Sequence, residues 1–401
     1  VQIPDAKAAP EDFFRKLQKL ERYKIFIGKE WEWFGNYQYS RTLRLRLNTS
    51  IDDLNHGIKK LVKRTQDLQL DELKGVKIAL KESLTLQGLP QLVSFCSQDK
   101  IDASSLPQRE LPLFGEKISF PFLEKLHLSS LNVTRVWHNQ LSNVSFCTHE
   151  KLKIEDCENI KYLLSFSMAK YLVHLKYFEI TKCNCLEEII FWEDIEEETQ
   201  ATMTLSLCPQ LKSLELKDLQ HLRGFCFNSQ NKVIEFPLMK SMAIYNCPNL
   251  ESFICRYSRE ANQRISSQSD LFDNKVAFPS LEEMSISYLR KIKMIWQNPL
   301  PPNSFPKLQQ LTAGGCDKLL TIFPSNFSFT KIRAISYSGC RSLKNVFPAS
   351  IAKDLPQLGY LEISDCGVEE IVSKLEEGSD SETAVNFEFD KEAAKIEMFL
   401  P

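Results

Sequence analysis

Long apolar runs, a leader and an excess of either charge are all missing from this chain. No stretch of 18 apolar residues occurs and no basic-then-apolar segment opens it, so neither a spanning helix nor a secretory signal is expected within it. Fifty lysines and arginines meet 52 aspartates and glutamates, a formal charge of -2, which gives no electrostatic reason to expect nucleic acid or an anionic membrane. Glycine is scarce, 13 in 401 residues, and neither GxxxxGK with a following Ser/Thr nor GxGxxG is found. A phosphate-cradling loop is not expected. The six histidines (His56, His127, His138, His149, His174 and His221) make no HxxH or HExxH arrangement. Cys183 and Cys185 form a lone CxC, without the second pair or nearby histidine that a tetrahedral metal site needs. Carboxylate pairs such as Glu187 with Glu188 and Glu369 with Glu370 follow one repeated turn and read as solvated charge. No nucleophile-elbow pattern surrounds a serine. No catalytic, cofactor-binding or metal-ligating residue is expected, and the chain is read as non-enzymatic.

What is present is repetition. Leu152, Ile154, Cys157 and Ile160 are echoed 26 residues later by Phe178, Ile180, Cys183 and Leu186. An apolar-x-apolar core with a period in the twenties is the signature of leucine-rich repeats. The two apolar residues form a short strand facing inward, the cysteine turns back beneath it, and the next apolar residue closes the coil. No coil buries its apolar side alone, so such a fold exists only by stacking. The expected architecture is an α/β solenoid, a leucine-rich-repeat horseshoe with short parallel strands on its concave face and irregular or short helical segments on its convex face.

From Phe120 onward each coil also carries a lead-in motif, as in FPFLEKLHLSSL, FPLMKSMAIYNC from Phe236, FPSLEEMSISYL from Phe278 and FPKLQQLTAGGC from Phe305. The aromatic anchor is expected to bury between coils, and proline limits the approach to extended backbone. Of twelve cysteines, Cys157, Cys183, Cys247, Cys316, Cys340 and Cys366 hold one repeat position. A buried thiol behaves as a small hydrophobe, so these are read as reduced core residues in a reducing compartment. Two portions are expected: irregular repeats over 1–115, then an array over 116–401 with edge insertions near 191–204, 256–277 and 374–386. The first insertion is acidic (WEDIEEETQ from Trp192) and the others polar.

The N-terminal portion is less regular. VQIPDA reads as a strand tail and turn, and EDFFRKLQKLE from Glu11 as a helix with Phe13, Phe14, Leu17 and Leu20 near one face. The aromatic stretch from Tyr23 to Tyr39 is read as covering the side of an early coil, the other reading being a ligand cage or a binding hot spot. Leu43, Leu45 and Leu47 make a strand, a helix is expected from Asp52 to Val62, and Leu68, Leu70 and Leu73 follow 25 residues after Leu43. The next match, Leu84, Leu86 and Leu89, comes after only 16 residues: a compressed coil or a misregistered match. A loop rich in proline and polar residues is expected over 97–115. Phe387 to Pro401 resembles the start of a further coil without a completed strand and turn. Neither end shows a polar cap, which points to a segment of something longer or a degraded copy of it. Gly314, Gly315 and Gly339, with Ala313 and Tyr337 at core positions, lead to the expectation that coils near 310–340 pack less tightly than those near 150–190.

Recognition is then expected on the concave face, because strand side chains alternate. The outward candidates are Lys153 and Glu155, Glu179 and Thr181, Glu215 and Lys217, Ala243 and Tyr245, Ser285 and Ser287. Thr312 and Gly314, Ser336 and Ser338, and Glu362 and Ser364 continue them. The row begins charged and becomes small and polar.

VQIPDA at Val1, YKIFIG from Tyr23, EWEWFGNYQYSRTLRL from Glu30 and DLQLDELKGVK from Asp67 carry a more specific likeness, together with the repeated L-x-x-L-x-I-x-x-C and the FPxL lead-ins. They resemble the leucine-rich-repeat region of plant intracellular immune receptors, the coiled-coil, nucleotide-binding, leucine-rich-repeat disease resistance class. The resemblance implies a cytoplasmic protein of plant defence and innate immunity. Its repeats would sense a pathogen effector, directly or through a guarded host protein, and hold a nucleotide-binding switch off until then. ADP or ATP is implied only for a nucleotide-binding domain upstream; no cofactor residue carries over to this chain. The interval before Leu89 looks like a deletion against that pattern. A stand-alone repeat scaffold or adaptor, or a receptor remnant, is the other reading.

Overall fold

The computed structural model describes residues 1–4, 11–17, 19–28, 41–46, 58, 61, 67–71, 92–96, 125–129, 134–137, 150–191, 204–228, 233–258, 263–264, 270–297, 300, 304–324, 329–348, 351, 355–372 and 395–399. The chain divides into two compact units, Val1–Leu186 and Glu187–Pro401.

In the first unit eight short strands follow one another in a parallel ladder: Gln2–Ile3, Tyr23–Ile27, Arg41–Arg46, Asp67–Asp71, Leu92–Cys96, Lys125–Ser129, Lys151–Glu155 and Tyr177–Thr181. Apolar residues register with apolar residues, Leu152 beside Phe178 and Ile154 beside Ile180, so each coil's core continues the last. The Glu11–Leu17 helix buries Phe14 and Leu17 and leaves Leu20 beyond its end exposed.

Two differences from the sequence reading concern this unit. Tyr23–Ile27 is a full repeat strand with Ile25 and Ile27 buried, and Tyr23 and Phe26 are buried with it. Trp31, Trp33, Phe34, Tyr37 and Tyr39 lie outside the described residues, as do the 52–62 helix apart from Ile58 and Leu61, and the 97–115 loop. The second difference is a correction. The strand after Asp67–Asp71 is Leu92–Cys96, with Val93 beside Leu68 and Phe95 beside Leu70, a regular step of 25 residues. Leu84, Leu86 and Leu89 lie outside the described residues, and of the two readings offered for them the 25-residue step favours a misregistered match over a compressed coil or a deletion. A pair of leucines is a weaker marker than the backbone's need for a complete coil between neighbouring strands.

In the second unit the ladder runs Ser213–Lys217, Ser241–Tyr245, Glu283–Ser287, Gln310–Gly314, Ala334–Ser338 and Tyr360–Ser364, all parallel. Lys395–Phe399 then pairs antiparallel with Tyr360–Ser364, so the segment read as the start of another coil instead covers the ladder's open edge. A second ladder, Glu188–Phe191, Gly224–Asn228 and Ile254–Ser258, is parallel and ends in an antiparallel partner, Gln263–Arg264. Glu188, read as solvated, is buried because it opens this second strand beside Gly224. Within the stretch read as a polar insertion, Leu271 and Phe272 are fully buried in the Asp270–Phe272 strand, which pairs with Met294–Trp296. Residues 192–200 and 374–383 lie outside the described set.

Each coil turns twice. After the strand, one residue takes the left-handed conformation: Asp156, Lys182, Asp218, Asn246, Tyr288, Gly315, Gly339 and Asp365. The N–H of Asp156, Asp218, Asn246, Tyr288, Gly315 and Gly339 donates to the last strand carbonyl of the next coil, as from Asp218 to Tyr245 and from Gly315 to Ser338. Where a cysteine follows, its thiol donates to the carbonyl two residues back, at 3.3 Å from Cys157 to Glu155 and 3.4 Å from Cys316 to Gly314, whereas Leu219 and Leu289 hold the position after Asp218 and Tyr288. The lead-in motifs close the other end, with Leu281 N–H donating to Phe278 and Leu308 N–H to Phe305. Their phenylalanines stack through the core, Phe236 on Phe278 at 5.3 Å and Phe278 near Phe305 at 5.5 Å.

Gly315 and Gly339 therefore supply the left-handed turn that other coils make at the expense of strain. Ala313 registers beside Tyr337, and both are fully buried, so a large ring fills the space the small residue leaves. Leu311, Ala313, Ile335 and Tyr337 are as deeply buried as Phe178 and Ile180.

Candidate protein-recognition surface

Every strand of the second unit's main ladder alternates buried and outward positions, as in Ser213–Lys217, where Leu214 and Leu216 are buried and Glu215 and Lys217 exposed. Stacking then aligns outward residues in columns. The third strand position runs Glu215, Ala243, Ser285, Thr312, Ser336 and Glu362; the fifth runs Lys217, Tyr245, Ser287, Gly314, Ser338 and Ser364. In the first unit Lys153 registers beside Glu179 and Glu155 beside Thr181. All the candidates thus fall into columns, but Thr181 is 7% exposed and its hydroxyl has no hydrogen-bond partner among the described residues.

The charged end is internally engaged. Lys153 Nζ lies 2.9 Å from Glu179 and 3.1 Å from Glu155. Partial burial pulls the Lys153 pKa down, yet the hydrogen bonds from its ammonium to Glu179 and Glu155 outweigh that and hold it above the ordinary lysine value. Further along, Ser336 donates to Glu362 at 2.9 Å and the Tyr360 hydroxyl donates to the same oxygen at 3.1 Å.

Two features escaped the sequence reading. A first outward column precedes the buried pair: Lys151 and Tyr177 in one unit, and Ser213, Ser241, Glu283, Gln310, Ala334 and Tyr360 in the other. The five-residue strand length was the available signal. The left-handed turn also presents side chains, among them Tyr288, where other coils place Asp, Asn, Lys or Gly.

Among the described residues no group of three or more His, Cys, Asp or Glu could hold a metal ion, and no helix is long and apolar enough to cross a membrane. Cys183 is buried and Cys185 half-buried, and no disulfide forms among the cysteines whose side chains are described. Burial pushes Cys208 and Cys247 up to about 12, which keeps them protonated and poor nucleophiles.

Short parallel strands joined by left-handed turns, lead-in motifs and a stacked core define a leucine-rich-repeat solenoid, a class of protein-interaction repeat. The family model for plant disease resistance protein RPS2-like, leucine-rich repeats, matches residues 122–261, 252–327 and 325–367. The chain belongs to that family. Among solved structures, the leucine-rich repeat domain of the type III effector XCV3220 (XopL) is similar at a TM-score of 0.36 and 14% identity, covering 82% of this chain and 76% of that one. No curated protein matches the chain.

Proposed function

We propose that this chain is the recognition and autoinhibitory region of a cytoplasmic plant immune receptor, non-enzymatic itself. It senses a pathogen effector directly or through a guarded host protein, and it restrains a nucleotide-binding domain until then. The observation that carries this reading is the set of aligned outward columns in a member of the disease resistance repeat family. Lys153, Glu155 and Glu179 in the first unit, and Glu215, Lys217, Tyr245, Ser285, Ser287, Thr312, Ser336, Ser338, Glu362 and Ser364 in the second, would supply contacts, with Thr181 buried beside Glu155. A regular ladder holds such residues rigidly, which limits the ordering cost of binding.

The test is to express the full receptor transcript in leaf tissue with Glu215→Lys, Ser285→Arg and Thr312→Arg, and score cell death with and without the pathogen. Loss of the pathogen-triggered response, or a response without the pathogen, supports recognition or restraint by these columns. An unchanged response in both conditions overturns it and favours the scaffold reading.

A further inference from the structure

We propose that the turn edge of the second unit around Tyr245 and Tyr288 docks an acidic polypeptide segment, a proposal that rests on the protein-recognition reading. Tyr245 and Tyr288 are 41% and 47% exposed, and their rings meet edge to face at 5.2 Å and 80°. Lys217 Nζ stands 5.5 Å from the Tyr245 ring centroid. Tyr288 holds φ of 56°, uncommon for a bulky residue, and its ring lies so close over Gly315 that a Cβ added there would stand 2.6 Å from it. Strained residues of this kind cluster where a surface has a task. Two ordered rings give large contact area at small entropic cost, the property of interface anchors.

Charge supplies the partner's chemistry. Between Ile286 and Pro348 there are nine lysines and arginines against one acidic residue, Asp317. The balance of the whole chain conceals this. Arg290, Lys318 and Arg341 are exposed and follow the left-handed residues Tyr288, Gly315 and Gly339 of three successive coils, so they share the tyrosines' edge. None has an ion-pair partner among the described residues, whereas Lys291 is taken up by Glu251 and Lys344 by Glu369. Exposed rings beside uncompensated cations match a segment with carboxylates around an apolar anchor. Single-stranded nucleic acid would ask for rings with open faces and an unbroken cationic track. Here Lys217 takes one face of Tyr245, Gly315 lies beneath Tyr288, and Asp317 interrupts the row.

The experiment titrates the whole chain into a fluorescent peptide of glutamates interspersed with leucines, and into the matched lysine peptide, following anisotropy at low and high salt. The glutamate peptide is expected to bind, more weakly as salt rises, and the lysine peptide not to. Tyr288→Asn installs the residue that Asn246 holds at the equivalent turn, and Tyr245→Ser the residue that Ser287 holds in its column, so both should fold. Each, and Arg341→Glu, should weaken binding about tenfold; Lys331→Glu, in the lead-in segment at the strands' other end, should leave it unchanged. Equal binding of the lysine peptide, no effect of the edge substitutions, or stronger competition by a single-stranded oligonucleotide would overturn the proposal. Glutamate-peptide binding lost through Glu215→Lys and Thr312→Arg but not through the edge would overturn it too, while leaving recognition by the strand columns standing.

Discussion

The coils around 151–186 and those around 283–343 share one backbone plan and use their outward positions differently. In the first, Lys153 satisfies Glu155 and Glu179, so much of the exposed charge is answered within the sheet. In the second, the strands show Ser285, Thr312 and Ser336, and the cations stand on the turns, where Arg290, Lys318 and Arg341 are unpaired among the described residues. The lesson is that charge on a repeat surface is informative only after its internal partners are subtracted. A charged column can be closed to a partner, and a bland one can sit beside an open row of cations.

The cores differ as well, and that sets the largest expected effect. Phe278 touches Phe236, Phe253, Phe272 and Phe305, so Phe278→Ala should cost about 3–5 kcal/mol in urea denaturation. Cys183→Ala, in the aliphatic coils, should cost only about 1 kcal/mol. Equal losses would break the contrast.

The turns sharpen it further. Gly315→Ala places a Cβ into the Tyr288 ring at positive φ and should cost about 1–3 kcal/mol. Lys182→Gly, at the same turn position, should be neutral or stabilise by up to about 1 kcal/mol. A smaller effect belongs to Lys153. Its pKa is raised in the folded chain, so its contribution is complete below the ordinary lysine pKa and is lost as pH climbs through the folded value. Wild type should exceed Lys153→Met in stability at neutral pH by less than about 1 kcal/mol, and the gap should close in strongly alkaline buffer. The smallest expected difference is none: amide exchange should be equally protected in the strands at 177–181 and 310–314. Faster exchange at 310–314 would restore the looser packing that the glycines suggested.

The repeat was legible because its cause is local. Leu152, Ile154 and Cys157 recur at a fixed period, and alternation along a strand decides which residues face out. The phenylalanines that open each coil were legible for the same reason. The strand at Leu92–Cys96 was not, since Leu84 and Leu86 imitate its pattern and only pairing with Asp67–Asp71 excludes them. Nor was Tyr288 legible as part of the surface, because a turn's left-handed residue is identified by its φ and not by its type: Asp, Lys, Asn, Tyr and Gly all occupy it.

By itself, then, the sequence determined the coil, its inward and outward positions and the family of repeats to which it belongs. Tertiary structure decided which outward charges cancel, which end of the ladder Lys395–Phe399 covers, and that the Tyr245 and Tyr288 rings of two neighbouring coils meet. Periodicity is a property of neighbours in the chain. Pairing, shading and charge compensation are properties of neighbours in space, and stacking brings together residues more than about 20 positions apart.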